Sequence, residues 1–347
     1  MTDERALFVP LDTGADAGAG TGTGAEAGRG TGNGAEAGRG GGAGGEAGRG
    51  GGVGGEAGAE ADSHSDSDAN SGVVADAGGS TWLPTDFSRG PWDPDACHGG
   101  PPAALVTRAL EAAPSPVHSP SPMRLVRVSL DLVRPVPLRP LRVSASVQRP
   151  GRRVELVEAT LRTVDDDVVV TMARALRIRT SEPGAVDLAD VGPGGPGAHD
   201  VDDLPPPLPE ASTEVRDLIT GGRAFHNSAT EHRFVRGDFH VPGPVFDWIR
   251  LVVPVVPGEV RSPWQRAVAA ADFGNGIGAS VPFDPSTLFI NPDLTVHLWR
   301  EPVGEWIGME STMRTSTTGI GLSDSAMWDA SGRIGRGNQS LFLDRLR

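Results

Sequence analysis

Two stretches of this chain, 101–179 and 263–343, carry the same succession of signals: one helix start, then runs of alternating apolar residues. In the first stretch Pro101-Pro102 stands in the opening turn of a helix running to about Ala113. Val126, Val128, Leu130 and Leu132 then alternate with Arg127, Ser129 and Asp131. Leu141, Val143, Ala145 and Val147 alternate with Arg142, Ser144, Ser146 and Gln148. Period two marks a strand with one face buried. Gly151 turns the chain into a third strand near 154–164, and Asp165-Asp166-Asp167 into a fourth at 168–179. The expectation is one helix followed by a four-strand antiparallel meander.

The second stretch repeats the plan. Strands near 230–240 and 246–253 lead to Ser262-Pro263, an N-cap followed by proline at the first helical position. Four strands follow at 288–299, 306–315, 320–328 and 333–343, the last hairpin turning at Asp329-Ala330-Ser331-Gly332. In this helix Trp264, Val268 and Asp272 recur at i, i+4 and i+8, which puts a carboxylate on the apolar stripe. A charge there is costly unless it is paired or used. Gly274-Asn275-Gly276 is where the helix can stop, so Asp272 could instead turn into solvent.

The 347 residues suffice for two ordinary domains. Acidic residues outnumber basic ones, 45 to 31, for a net charge of -14, and no basic cluster interrupts the pattern. That argues against nucleic acid or an anionic membrane as partner. Every basic side chain other than histidine is arginine, and Cys97 is the single cysteine, so neither an internal disulfide nor a cysteine-based metal site can form. No apolar stretch approaches a membrane span and the N-terminus lacks a signal pattern, which makes the cytoplasm the default address.

Residues 1–80 are assigned to a disordered Gly/Ala-rich tail. Glu26, Glu36, Glu46 and Glu56 fall at a ten-residue period among Gly and Ala, with almost no large apolar side chain to offset the entropy of ordering. A module at 81–182, a Pro/Gly/Asp-rich linker at 183–222 and a second module at 223–347 complete the organisation.

The ordered set of motifs resembles the acyl-CoA thioesterase II family. In the first module it consists of His98-Gly99-Gly100-Pro101-Pro102-Ala103-Ala104-Leu105, Arg124-Leu125-Val126, Leu132-Val133-Arg134-Pro135 and Val147-Gln148-Arg149. In the second it consists of Ala271-Asp272, Asn291-Pro292-Asp293-Leu294-Thr295-Val296-His297 and Asn338-Gln339. The resemblance implies an α+β chain of two tandem hot-dog domains, each an antiparallel sheet wrapped around a central helix. It implies hydrolysis of fatty acyl-CoA to free acid and CoA without a cofactor or metal, and paired domains of this kind commonly associate further into homo-oligomers.

In that family an Asp, a Thr or Ser, and a Gln hold the attacking water, which places the catalytic roles on Asp272, Asn291 and Gln339. Asn291 departs from the pattern, since an amide orients water but cannot relay a proton as a hydroxyl does. Thr295 is the fallback hydroxyl. His98, Gly99, Gly100 and Thr295 are the candidate substrate-binding residues; the glycine N–H groups lie at the positive end of a helix dipole, suited to polarising a thioester carbonyl. Each also has a plainer reading. The glycines could serve tight packing, His98 a turn, Cys97 a small buried filler, Gln339 the satisfaction of backbone at a sheet edge, and the Asn291–His297 polar parity a solvated sheet face. Two rival functions remain: a non-catalytic acyl-CoA binder, and an enoyl-CoA hydratase, which wants a histidine beside the acid where Asp272 has none near it in sequence.

Overall fold

The computed structural model describes residues 5–11, 79–119, 121–181, 207–211, 213–215, 218–219, 221–282, 284 and 286–345. The Gly/Ala-rich repeat and most of the proposed linker lie outside them. The described chain runs β1 (Phe8–Pro10), β2 (Ser80–Pro84), α1 (Gly100–Ala112), β3 (Met123–Leu132), β4 (Leu141–Arg149), β5 (Val154–Thr163), β6 (Val169–Arg179) and β7 (Thr213–Val215). It continues with β8 (Thr230–Asp238), β9 (Val241–Leu251), α2 (Pro263–Ala271), α3 (Gly274–Ile277), β10 (Thr287–Ile290), β11 (Asp293–Leu298), β12 (Trp306–Thr315), β13 (Ile320–Asp329) and β14 (Gly332–Arg345).

The duplication read from the sequence is present in the topology. The first module orders its strands β2-β4-β5-β6-β3, the second β9-β12-β13-β14-β11, and antiparallel pairing of β3 with β11 joins them, among the described residues, into one 14-stranded sheet. Leu130 stands opposite Leu294 and Val128 opposite Val296 across that seam, all four buried. The expected meander is corrected in both modules. The strand after the helix does not pair with its successor but crosses to the far side, β3 onto β6 and β11 onto β14. The β3–β4 connection explains it: residues 133–140 contain Pro135, Pro137 and Pro140, which cannot donate to a ladder and rule out a tight hairpin.

Two assignments of disorder and linker are also corrected. Ala6, Leu7 and Phe8, within the range given to the tail, are completely buried. Phe8–Pro10 pairs with β2, while the N–H groups of Leu7 and Phe8 donate to the carbonyls of Pro254 and Val255 at 2.9 and 3.0 Å. This short apolar run straps the first module to the second, because it has hydrophobic side chains to bury where the glycine repeat has none. The end of the linker contributes β7 and the buried Leu218.

The central helices lie antiparallel, and both crossings are polar. Ser262 caps α2 by accepting the Gln265 N–H at 3.0 Å. The Ser262 hydroxyl and the Gln265 amide in turn donate to Glu111, at the end of α1, at 2.9 and 3.1 Å. The C-terminal carbonyls of α1 are capped by Arg177 of β6, which donates to the carbonyls of Leu110, Glu111 and Ala113 and pairs with Glu155 at 2.8 Å. Glu155 is fully buried. A turn of π-helix at Phe225–Ala229 leads into β8 and carries His226, 5% exposed, whose Nε2 lies 3.2 Å from the Ile219 carbonyl. Burial, and secondarily the neighbouring His98, hold His226 down to about 4. Among the described residues no helix is long and apolar enough to cross a membrane.

Replacing Arg177 by Met strands the Glu155 carboxylate in the core and should lower unfolding stability by about 3–5 kcal/mol. The Arg177→Met/Glu155→Met pair should recover part of that loss in guanidinium titrations. Because the folded protein keeps His226 neutral down to about 4, the unfolded chain binds the extra proton between pH 6.5 and 4, and stability drains away as pH falls through that window. Wild type should therefore lose roughly 2–3 kcal/mol more than His226→Gln between pH 7 and 4; equal losses would exclude a buried neutral ring.

Candidate active site

Asp272 is the C-cap of α2, with helical backbone angles and 3% exposure. It does not turn into solvent. The chain stays helical through Phe273 into α3, where a stop at Gly274-Asn275-Gly276 was expected. The reason lies in what α3 packs against: a methyl on Gly274 would stand 2.5 Å from the Ser325 hydroxyl, and the Asn275 N–H donates to Oε1 of Gln339 at 3.1 Å. Gln339, on the inner face of β14, is 2% exposed. Its Nε2 reaches back to the Asp272 carbonyl at 3.3 Å and to Oδ1 at 3.4 Å.

Asn291 arrives by a different route. The strand expected at 288–299 is broken at Asn291-Pro292 into β10 and β11, since proline removes a ladder donor. The break releases Asn291 from the strand's alternation, and its Nδ2 donates to Oδ1 of Asp272 at 2.8 Å. The solvated-face reading holds for His297, which is exposed, and not for Asn291. Thr295 stays in β11, and its hydroxyl donates to Ser129 of β3 at 3.2 Å; it is not brought to the acid.

The remaining partner comes from the first module. His98 places Nδ1 2.7 Å from Oδ2 of Asp272, which supplies in space the histidine that the sequence lacks nearby. The Gly100 N–H lies 3.3 Å from the same nitrogen. One nitrogen cannot donate to the acid and accept from Gly100, and the shorter, charge-assisted contact makes Nδ1 the donor. Phe225 and Phe273 pack against the His98 ring at centroid distances of 5.0 and 4.7 Å.

Gly99 and Gly100 are required by this crossing. A methyl on Gly99 would stand 2.7 and 2.8 Å from the Asp272 carboxylate oxygens; one on Gly100 would stand 2.8 Å from the Phe225 ring and 2.9 Å from the Ala269 carbonyl. Their tight-packing role is therefore real. Cys97 is partly buried, and burial pushes its thiol up, away from a nucleophile's range.

The acid opens on a cavity of about 580 Å³ between the modules. Its wall combines His98, Gly99, Val133 and Pro135 of the first module with Leu218 from the end of the linker and Phe239, Phe273, Ile277, Leu288 and Phe289 of the second. Gln339 stands behind this wall, bonded directly to the acid. Sequence reasoning missed His226, Phe225 and Phe273. The signal available was the apolar run ending at Phe273, directly after the acid. Among the described residues no cluster of three or more His, Cys, Asp or Glu is arranged to hold a metal.

Comparison with known proteins agrees with this architecture. A candidate thioesterase II of Thermobifida fusca YX superposes with TM-score 0.56 at 18% identity, covering 78% of this chain and 93% of that one. A conserved hot-dog protein of unknown function from Alicyclobacillus acidocaldarius gives 0.57 at 14% identity, covering 78% and 95%. A candidate thioesterase from Novosphingobium aromaticivorans gives 0.54 at 20% identity, covering 76% and 95%. At these identities the likeness establishes the hot-dog fold. No curated protein matches the chain. The acyl-CoA thioesterase N-terminal domain matches residues 88–178 and the acyl-CoA thioesterase C-terminal domain residues 200–343. With its helix-and-sheet plan present twice and both domain models spanning most of its length, the chain belongs to the acyl-CoA thioesterase family.

Proposed function

We propose that the chain hydrolyses fatty acyl-CoA to free acid and CoA in the cavity beside Asp272. The observation that carries this reading is a carboxylate 3% exposed in the wall of a mostly hydrocarbon cavity, in a chain of this family. This acid is met by two amides and an imidazole, and unlike a wholly enclosed carboxylate it also faces the cavity. Asp272 supplies the negative charge that makes a cavity water nucleophilic. Asn291 and Gln339 fix the orientation of the carboxylate, both through Oδ1. Donation to the carboxylate is a task an amide performs as well as a hydroxyl, so Asn291 in the place of Thr or Ser leaves the function intact.

The acyl chain would lie against Phe239, Ile277 and Leu288. Among the described residues Arg134 is the one arginine in the cavity wall, and its exposure there suits it to meet CoA phosphates. Gly99 and Gly100 serve substrate binding indirectly, by letting α1 come close enough for His98 to reach the acid. Membership of the thioesterase family favours hydrolysis over the hydratase reading, although the His98–Asp272 pair meets the requirement that reading had lacked.

Asp272→Asn should lose at least about a hundredfold in kcat for thiol release from long-chain acyl-CoA. Near-wild-type turnover in that variant would exclude the assignment. Loss of enoyl absorbance from crotonyl-CoA without thiol release would instead point to the hydratase. Gly99→Ala forces its methyl onto the carboxylate and should lose about tenfold or more, as expected for displacement of a catalytic group by about an ångström; retention of activity would show that the close approach is not needed.

A further inference from the structure

The Asp272 carboxylate is largely spoken for. Oδ1 accepts from Asn291 at 2.8 Å and faces the Gln339 amide at 3.4 Å. Oδ2 accepts from His98 at 2.7 Å. Gly99 brings backbone against the carboxylate on the α1 side, where a methyl would stand 2.7 and 2.8 Å from its oxygens, and leaves its cavity side open. His98 is placed differently. Its Nδ1 is committed to the acid, its ring is held by Phe225 and Phe273, and its side chain, 14% exposed, lines the cavity. The second ring nitrogen, Nε2, points away from the acid by the geometry of the imidazole and carries the basic lone pair once Nδ1 bears the proton.

The other ionisable groups of the wall are placed for other work, and burial pushes the thiol of Cys97, which also lines it, up and out of a base's range. His226 lies against the Ile219 carbonyl through its own Nε2. Asp93 accepts the Asp95 N–H in a surface turn. Arg134 is a cation.

We infer that His98, through Nε2, is the group that takes the proton from the attacking water and returns it to the leaving thiolate, with Asp272 positioning the ring and stabilising its protonated form. This rests on the thioesterase reading and deepens it. Water oxygen bonds to the thioester carbonyl carbon while a water proton passes to Nε2; the carbonyl π electrons move onto oxygen. The imidazolium is then bonded to Asp272 through Nδ1–H. Collapse of the tetrahedral intermediate reforms the carbonyl and breaks the C–S bond. Nε2 hands its proton to the departing sulfur, giving CoA thiol and a carboxylic acid that ionises into solvent. Atoms and charges balance without a further reactant. The arrangement also accounts for the histidine coming from the first module: neither module alone contains both members of the pair.

The test is chemical rescue of the full-length chain, followed by thiol release from a long-chain acyl-CoA. His98→Ala should lower kcat by at least about a hundredfold with KM changed less than about threefold, the split expected when a transition-state interaction is lost. Free imidazole should restore at least about tenfold of that loss in a saturable manner, since it can refill the space and the proton-transfer role. Imidazole should not change the wild type, and it should not rescue His98→Ala combined with Asp272→Asn. His98→Asn retains a donor for the acid but nothing at the Nε2 position, and it should be as slow as His98→Ala. The inference is overturned if His98→Asn stays within about tenfold of wild type, if the defect lies wholly in KM, or if rescue survives loss of the Asp272 charge. A wild-type protein that releases no thiol overturns the thioesterase reading itself, and the role of His98 with it.

Discussion

The arrangement depends on one crowded crossing, where the start of α1 meets the end of α2 and a carboxylate is shut in between. Burying that charge is expensive, and the cost is met by groups brought from three separate parts of the chain. His98 precedes α1, Asn291 stands at the β10–β11 break, Gln339 projects from β14, and Gly99 withdraws its own bulk. His98 reaches the acid only if both modules are in register. The acid therefore works as a lock between the modules and as the centre of the site. The candidate site sits at their junction for that reason, and not at the heart of either sheet.

The rest of the molecule holds that junction still. At the opposite end of the helix pair, Glu111 accepts from the Ser262 cap and from Gln265, so α1 and α2 are pinned at both crossings. The β3–β11 ladder makes the two sheets continuous. The N-terminal strap binds β2 on one side and the Pro254-Val255 backbone on the other. Arg177 and Glu155 anchor the far end of α1 from within the first sheet. With these restraints, the 2.7 Å contact between His98 and Asp272 does not rest on loop conformation alone.

Local pattern made the strands, the two helices, the Ser262 cap and the apolar stripe bearing Asp272 legible, because period and capping are properties of neighbouring residues. What could not be read was long-range pairing. Alternation says that 126–132 is a strand but not that it crosses to β6, and only the prolines between it and β4 hint at this. The apolar run at Ala6–Phe8 was submerged in the low-complexity segment that follows it. In the site, Asp272 and Gln339 were singled out by a polar side chain on an apolar parity, and the resemblance added Asn291. Thr295 was misplaced because one unbroken strand was assumed across Pro292. The neighbour of Asp272 in space, His98, lies 174 positions away in the sequence, and no periodicity links residues of different modules.

The most direct test of the central claim is a crystal structure with a non-hydrolysable thioether analogue of a long-chain acyl-CoA. The account expects the atom replacing the scissile carbonyl carbon to lie within roughly one water's reach of His98 and Asp272, about 3–3.5 Å from a water that the site holds, with the alkyl chain against Phe239 and Leu288. An analogue seated on the outer face of either sheet, or in this cavity with its reacting end turned away from the acid, would contradict it.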